Sequence, residues 1–297
     1  MHLLITGASG LLAREFAPLA RQAGWRVDAV PRSGLDITDR EAVMTAVRRT
    51  KPDGVVNLAA FTDVDRAEAE FARACAVNAE GAGHLAEAAA EVGAVMVQLS
   101  TDYVFGGEAA VPYRIDSPPD PVNCYGRSKL RGEIAVRERS PHHLIVRTSW
   151  LFGAGGPNFV DSMLVLGRRF RQRGDPLRVV DDQRGRPTWT RSLAEILVAL
   201  LERDVRGTVH ASNDGDASWY ELARAALRLA GIQVSMEPVT GSEFPRPARR
   251  PGYSVLDLTC LEEALGRRPP HWRSALARYL GAGSGLASPP VPQGGES

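Results

Sequence analysis

Two side chains with complementary acid-base chemistry stand four residues apart in this sequence, Tyr125 and Lys129. Residues at this spacing lie on one face of a helix. A phenol has an ordinary pKa of about 10, so it exchanges a proton near neutral pH only where a positive charge stabilises the phenolate. Lys129 can supply that charge, and it is one of two lysines, with Lys51, in a chain otherwise biased towards arginine. The pair therefore predicts a proton-transfer site that requires an ammonium group.

A third reactive group precedes this pair, at the end of a predicted buried strand over residues 94–99. Ser100 and Thr101 follow that strand directly. A hydroxyl in this position can point at a bound carbonyl group and share its hydrogen bond with Tyr125. The sequence thus predicts that Thr101, Tyr125 and Lys129 act together on a carbonyl.

The first residues of the chain predict a phosphate-binding loop. A strand, His2–Thr6, runs into two glycines, Gly7 and Gly10, and then into a predicted helix over residues 11–23. Gly7 allows a tight turn, Gly10 lets the backbone approach a pyrophosphate, and the small Ala13 allows close packing of helix on strand. The anion would lie at the N-terminus of the helix, so the segment favours dinucleotide binding.

The end of the second predicted strand, Arg26–Val30, distinguishes the two nicotinamide dinucleotides. An NAD site usually places a carboxylate there, whereas an NADP site places an arginine against the 2′-phosphate. Here Arg32 and Ser33 follow the strand, and Asp28 lies inside it. We therefore expect NADPH, with Arg32 as the clamp and Ser33 as a hydroxyl donor, and NADH as an alternative cofactor. The competing interpretation is that Arg32 is one of many solvated arginines.

The elements that must position these groups alternate between strand and helix, which is typical of an α/β fold with a doubly wound parallel sheet. Ligands of such sheets bind beyond the carboxyl ends of the strands. Further elements are predicted as helix 39–50, strand 54–57, an alanine-rich helical stretch through Glu91, helix 128–139 and strand 143–147, followed by helices 159–173, 192–202, 219–230 and 261–265.

The later part of the chain is more irregular and predicts a smaller, partly discontinuous second domain. We expect a dinucleotide-binding domain over residues 1–150, with part of 179–212 returning to it. A substrate-binding domain would comprise residues 151–178 and 213–280. Residues 281–297 are rich in Gly, Ser and Pro and predict a disordered tail.

Charge and composition exclude several classes of function. The chain has 36 basic and 35 acidic side chains, which give no general field for nucleic acid or anionic membranes. Its apolar stretches are far shorter than the roughly 20 residues of a membrane-spanning helix. Three cysteines without a C-x-x-C spacing predict neither a disulfide framework nor a metal site. We therefore expect a cytoplasmic protein without nucleic-acid or membrane partners.

Together these motifs resemble the dTDP-4-dehydrorhamnose reductase family of the extended short-chain dehydrogenase/reductases. The resemblance extends in order and spacing to about Leu280 and includes segments 35–39, 57–65, 100–105, 147–150, 179–183, 186–188 and 247–251. It implies a Rossmann fold and a dTDP-sugar substrate. The implied activity is NADPH-dependent reduction of the C4 keto group of dTDP-4-dehydro-L-rhamnose to dTDP-L-rhamnose.

With the residue patterns above, the resemblance implies specific site residues. The catalytic residues would be Thr101, Tyr125 and Lys129. The cofactor would contact Gly7, Ser9, Gly10, Leu11, Leu12, Arg32, Ser33, Asp36, Ile37, Ala59, Ala60, Thr62, Tyr125 and Lys129. The substrate would contact Thr101, Asp102, Tyr103, Trp150 and Arg186. Asp102 has a second interpretation, in which it only orients its loop.

The diphosphate of such a substrate requires cations, which binding loops commonly supply. The candidates lie on segments interrupted by Pro and Gly, and they are Arg184, Arg186, Arg246, Arg249 and Arg250. Trp219 and Tyr220 begin a predicted helix and are expected in the core. Some members of the family are magnesium-bridged dimers that use glutamates. Glu15 matches one such position, but Arg191 occupies another, so we expect no metal and either a monomer or a homodimer.

Three other functions stay open at this point. The protein could reduce another dTDP-4-keto-6-deoxysugar, or it could be an NAD-dependent sugar-nucleotide epimerase or dehydratase that recycles its cofactor. The missing carboxylate after the second strand argues against such an NAD enzyme. A non-catalytic regulatory subunit is the third alternative, because the β-subunit of methionine adenosyltransferase resembles the same family. The intact Thr101, Tyr125 and Lys129 favour an enzyme.

Overall fold

A computed structural model describes residues 1–282 of the chain. Its main feature is a parallel sheet of six strands, which lie side by side in the order β10-β5-β4-β3-β1-β2. These strands are β1 (His2–Thr6), β2 (Arg26–Val30), β3 (Gly54–Asn57), β4 (Val95–Thr101), β5 (His143–Thr148) and β10 (Gly207–His210). The strand order reverses between β1 and β3, which creates a crevice at their carboxyl ends. The predicted doubly wound parallel sheet is confirmed.

Helices cover both faces of this sheet. The helices of the described chain are α1 (Leu11–Gln22), α2 (Arg40–Thr50), α3 (Arg66–Ala69), α4 (Phe71–Cys75), α5 (Ala82–Glu91), α6 (Cys124–Arg139), α7 (Phe159–Arg173), α8 (Thr190–Glu202), α9 (Trp219–Leu229), α10 (Thr259–Leu265) and α11 (Trp272–Ala282). A π-helical turn, Ala76–Gly81, joins α4 to α5. None of the helices in residues 1–282 has the length and apolar composition needed to cross a membrane.

Helix α6 begins four residues earlier than the sequence predicts. Its first residue is Cys124 and not Ser128, because the side chain of Asn123 accepts a hydrogen bond from the backbone N–H of Gly126 and caps the helix. Gly126 also allows the first turn to approach the 3-10 turn that follows β4, since a Cβ there would lie 2.1 Å from the carbonyl oxygen of Tyr103. The first turn of α6 therefore brings Tyr125 next to the end of β4.

Two apolar clusters hold the helices against the sheet. On one face, Phe16 of α1 and Leu197 of α8 pack in the same cluster as strand residues. On the other face, Val43 of α2 and Leu85 of α5 do so. All these side chains are fully buried, and burial of apolar surface contributes roughly 25 cal/mol per Å². The sheet edge that carries the candidate site is thus part of a well-packed layer.

A third cluster forms a smaller body around Phe152, Leu222 and Trp272. It includes three short two-stranded sheets, formed from β6 (Leu151–Phe152), β7 (Leu177–Val180), β8 (Arg184–Gly185), β9 (Thr188–Trp189), β11 (Ala217–Ser218) and β12 (Met236–Val239). Leu261 and Leu265 of α10 pack with the main sheet, although they belong to the range expected for the substrate domain. The expected domain boundaries therefore stay a prediction. Of the expected tail, residues 281–282 end α11, and 283–297 lie outside the described residues.

Candidate active site

The glycine loop lies in the crevice between β1 and β3. Gly7 has a φ of +71°, and a Cβ there would lie 2.5 Å from the backbone nitrogen of Ala59. Gly10 precedes α1, and no side chain caps the N-terminus of this helix. The first N–H groups of α1 are therefore not satisfied by a cap, and a pyrophosphate fits such a helix N-terminus. Ser9 and Gly10 are exposed, whereas the side chain of Leu12 is buried in the core, so it could contact a dinucleotide only through its backbone.

Buried amides fix the neighbouring strand ends to one another. Thr6 donates from Oγ1 to Asn57 Oδ1 over 2.7 Å, and Asn57 Nδ2 donates to Gln98 Oε1 over 2.8 Å. The backbone N–H of Ala59 also donates to Asn57 Oδ1. Ala59 and Ala60 are half-buried after β3, and Thr62 is exposed beyond them. Of these three residues, Ala59 lies directly against the glycine loop.

The groups predicted to recognise the adenosine end follow β2. Arg32 is exposed and donates from Nε and Nη2 to the Oδ2 atom of Asp36 at 3.1 and 3.0 Å. Hydrogen bonds from Thr38 hold the pKa of Asp36 below its usual value, and Arg32 contributes to the same effect. Ser33 is exposed next to Arg32, whereas the side chain of Ile37 is buried in the core. A guanidinium thus lies at the predicted position, paired with Asp36.

Thr101, Tyr125 and Lys129 come together at the carboxyl end of β4. Burial raises the pKa of the Tyr125 phenol to about 12, although a hydrogen bond with the Thr101 side chain lowers it. Lys129 is 4% exposed, and its Nζ donates to the carbonyl oxygen of Leu99 over 2.6 Å. Burial lowers the pKa of Lys129 to about 8. At neutral pH the phenol therefore carries its proton and the lysine its charge, which is the state required to protonate an oxygen anion.

Asp102 is a buried carboxyl group directly beside this cluster. Its Oδ1 accepts a hydrogen bond from Thr101 Oγ1 at 3.1 Å, and its Oδ2 accepts one from Ser254 Oγ at 2.5 Å. Burial nevertheless raises its pKa to about 7. Because both oxygens have partners in the protein, the structure favours the interpretation that Asp102 orients the loop. Ser254 is a buried site residue that the sequence analysis did not identify.

A cavity of about 680 Å³ opens next to Tyr103. Tyr103 lies edge-on to Tyr125, with ring centroids 6.0 Å apart. Trp219 also lines the cavity, which differs from its expected place in the core. Its ring stacks in parallel on Trp150 with a centroid distance of 3.5 Å, and its indole N–H donates to Gln183. Both rings are half-buried and pack against the cluster around Phe152, so Trp219 belongs both to the small body and to the wall of the cavity.

The predicted arginines divide into two groups. Arg246, Arg249 and Arg250 line the cavity. Arg186 lies elsewhere, because its Nε donates to the carbonyl oxygen of Leu256 and its Nη1 donates to Asp214. Arg184 is paired with Asp216 and Glu221. The structure thus brings the first three arginines to the cavity, where Arg246 and Arg250 pair with Asp65 and Arg249 pairs with Glu108. Arg184 and Arg186 do not line the cavity.

The chain is similar to known proteins over nearly its whole length. A family model described as the RmlD substrate binding domain matches residues 1–284. The chain belongs to this family. A dTDP-4-dehydrorhamnose reductase from Streptomyces griseus is 49% identical to it over 297 residues, which cover 97% of this chain and 96% of that relative. The resemblance inferred from the motifs is confirmed.

Two further relatives bear on the substrate and the cofactor. A dTDP-4-keto-6-deoxy-D-glucose reductase from Streptomyces niveus is 41% identical over 93% of this chain and 95% of its own length. A crystal structure of dTDP-4-dehydrorhamnose reductase from Bacillus anthracis strain Ames, in complex with NADP, has a TM-score of 0.90. It is 36% identical and covers 95% of this chain and 99% of that chain.

Proposed function

We propose that this protein uses NADPH to reduce the C4 keto group of dTDP-4-dehydro-L-rhamnose to dTDP-L-rhamnose. Its membership of the RmlD family makes it an NAD(P)H-dependent oxidoreductase. The observation that carries the finer proposal is the cluster of Thr101, Tyr125 and Lys129 beside the cavity next to Tyr103. The Streptomyces griseus relative supports this choice of substrate.

The cofactor would occupy the crevice beside Gly7 and Gly10, with its 2′-phosphate on Arg32 and Ser33. The remaining predicted contacts are Ser9, Leu11, Leu12, Asp36, Ile37, Ala59, Ala60 and Thr62. Leu12 and Ile37 would contribute backbone atoms because their side chains are buried. The Bacillus anthracis structure with NADP supports this cofactor. We also propose cytoplasmic localisation and a monomer or homodimer.

When bound, NADPH supplies the hydride to the carbonyl carbon of the sugar. Thr101 would turn the hydroxyl proton that it donates to Asp102 in this structure towards the carbonyl oxygen, and Tyr125 would transfer its proton to the same oxygen. A pKa of about 12 keeps this proton on Tyr125 at neutral pH until negative charge develops on the substrate. The ammonium of Lys129 would stabilise the phenolate that remains and would hold a ribose hydroxyl of the cofactor.

The cavity would receive the sugar nucleotide. Tyr103, which lines the cavity, would lie against the sugar, and Trp150, stacked on Trp219 of the cavity wall, would complete this side of the site. Arg246, Arg249 and Arg250 would neutralise the diphosphate. Arg186, which the sequence favoured for this role, would instead support the segment that forms the cavity.

The test is NADPH oxidation with dTDP-4-keto-6-deoxyglucose, in the presence and absence of a 3,5-epimerase, with the product identified by mass spectrometry and NMR. Oxidation that depends on the epimerase and yields dTDP-L-rhamnose supports the proposal. Oxidation without the epimerase would instead favour the reaction of the Streptomyces niveus relative, which is the second candidate. No oxidation, together with intact NADPH binding, would contradict both reductase functions.

Tyr125→Phe tests the proposed acid. Loss of general acid catalysis lowers the rate by about 10²- to 10⁴-fold, so we expect kcat to fall by this factor. The dissociation constant for NADPH should change little, because the ring remains in place. Tyr220→Phe is the matched control, since it removes a phenol outside the site and should leave kcat unchanged. Normal turnover in Tyr125→Phe would remove Tyr125 from the mechanism.

A further inference from the structure

The spacing that joins Tyr125 to Lys129 continues along α6 to Glu133 and Arg137. Side chains four residues apart are neighbours on a helix, so phenol, ammonium, carboxylate and guanidinium follow one another along one slowly turning stripe. The Glu133 side chain is completely buried, which is rare for a carboxylate. The mechanism described above does not use it.

Three side chains bind the Glu133 carboxylate. Ser100 Oγ donates to its Oε1 over 2.6 Å, and Arg147 donates from Nε and Nη2 to its two oxygens over 2.8 and 2.7 Å. Arg137, which is more exposed, donates from Nη2 to Oε2 over 2.8 Å. Burial alone would raise the pKa of Glu133, but the hydrogen bonds and charge of Arg147 outweigh it and hold the pKa below the usual value. Glu133 is therefore a permanent negative charge inside the protein.

This charge is coupled to the reacting groups through β4. Lys129 binds the carbonyl oxygen of Leu99, Glu133 binds the hydroxyl of Ser100, and Thr101 follows directly. The stripe on α6 thus binds consecutive residues of the strand that carries the catalytic hydroxyl. Burial disfavours the ammonium form of Lys129, and the negative charge of Glu133 opposes that effect.

We propose that Glu133 is a positioning residue that keeps Lys129 in its ammonium form and holds α6 in register with the end of β4. This inference rests on the proposed function in so far as the ammonium serves a bound dinucleotide. Arg147 and Ser100 hold Glu133 in place, so Glu133 acts on the reaction only through Lys129 and Thr101.

Other ionisable groups face this region, and their titration must be distinguished from that of Lys129. Tyr125 on α6 and Asp102 after β4 lie on the side of the site, with pKa values raised to about 12 and about 7. His210 of β10 lies beside Arg147, and burial lowers its pKa to about 4, so it is neutral above that pH. Arg137 and Arg147 do not titrate near neutrality. Burial lowers the pKa of Lys129 to about 8, so Lys129 is the cation of this set that loses its proton as the pH rises above neutrality.

The experiment compares wild type with Glu133→Gln by titrating NADPH, through quenching of protein fluorescence, from about pH 6 to 9.5. In the wild type, binding should weaken above about pH 8 as Lys129 loses its proton. A neighbouring opposite charge shifts a pKa by about one unit or more, so this midpoint should fall by about one unit in Glu133→Gln. The variant should bind NADPH nearly normally at pH 6 and several-fold more weakly at pH 8.

Two control variants separate the charge from the packing. Ser100→Ala removes one hydrogen bond but keeps the carboxylate, and we expect its midpoint to equal that of the wild type. Glu133→Asp keeps the charge and should restore most of the midpoint. An unmoved midpoint in folded Glu133→Gln would overturn the proposal, as would a pH-independent loss of binding, which a purely structural role predicts.

Glu133→Gln leaves Arg147 buried without its partner, which is strongly destabilising. If this variant does not fold, Glu133→Gln with Arg147→Gln removes both charges. Among the described residues, the charge found to act on Lys129 is that of Glu133, so the double variant should show the same lowered midpoint. A wild-type midpoint in the folded double variant would equally overturn the proposal.

A measurement without cofactor distinguishes failure of this inference from failure of the proposed function. The folded pKa of Lys129 is below its usual value, so the unfolded chain binds more protons above about pH 8 and stability rises with pH there. This rise, isolated by comparison with Lys129→Met, should begin at a lower pH in Glu133→Gln. Absence of NADPH binding in the wild type would contradict the proposed function, whereas an unchanged onset of the rise would contradict the role of Glu133.

Discussion

Replacement of Asp102 by Asn should change the pH dependence of stability in a way that can be calculated. Asp102 is 2% exposed, and both of its oxygens accept hydrogen bonds, from Thr101 and Ser254. Burial raises its pKa from 3.8 to about 7 in the folded protein, although those hydrogen bonds lower it. Asn has nearly the same shape and can keep the bond from Ser254, but it does not titrate.

The sign follows from proton binding. Between about pH 4 and 7 the folded wild type holds the Asp102 proton more tightly than the unfolded chain, so the free energy of unfolding falls as the pH rises. A shift of about three units, at about 1.4 kcal/mol per unit, gives a total loss of about 4 kcal/mol by pH 7. Asp102→Asn lacks this loss. Its stability relative to wild type should therefore increase by up to about 4 kcal/mol from pH 4 to pH 7 and stay constant above.

The assay is urea unfolding of both proteins at several pH values between about 5 and 8, with the difference in free energy of unfolding plotted against pH. The slope should be about 1.4 kcal/mol per unit below the folded pKa. Ser254→Ala is a useful companion, because it removes a bond that lowers the pKa of Asp102 and should move the end of the slope to higher pH. A difference that is independent of pH would refute the assignment of a raised pKa to Asp102.

Three further predictions test other parts of the site. Gly7→Ala should weaken NADPH binding at least about tenfold and lower stability, because its Cβ would meet Ala59 at 2.5 Å and φ is +71°; normal binding by equilibrium titration would contradict the packing. Arg32→Ala should raise the dissociation constant of NADPH about tenfold and that of NADH little; equal losses would exclude a contact with the 2′-phosphate. Trp219→Leu should raise KM for the sugar nucleotide several-fold without changing NADPH affinity, because the stack on Trp150 is lost; an unchanged KM would place Trp219 in the core alone.

Local sequence patterns were sufficient to predict the strands of the sheet and the glycine loop that follows β1. The strand His2–Thr6, the glycines that follow it and the spacing of Tyr125 and Lys129 all depend on interactions within a few residues. These features can therefore be predicted from the sequence without a structure. The start of α6 was predicted four residues too late, although it also depends on a local signal. Asn123 is a favourable N-cap residue and lies directly before the helix.

Contacts between distant segments could not be predicted in this way. Ser254 reaches Asp102 across 152 residues, and Arg147 reaches Glu133 from a different strand. No periodicity links these pairs, because they depend on the path of loops between elements. The structural partners of Arg186 and the place of Trp219 at the cavity wall are of the same kind. The four-residue repeat from Tyr125 through Lys129 to Glu133 is a signal that was available in the sequence.

A buried group at this site keeps its charge when it has a partner of opposite charge. Glu133 has two arginines and stays ionised despite complete burial. The donors that Asp102 has among the described residues are neutral hydroxyl and backbone N–H groups, and its pKa rises to about 7, while that of Lys129 falls to about 8. At neutral pH Lys129 is therefore charged and Tyr125 retains its proton. A rise in pH removes the ammonium that would stabilise the phenolate, so the capacity of the site to protonate a substrate oxygen should decline on the alkaline side.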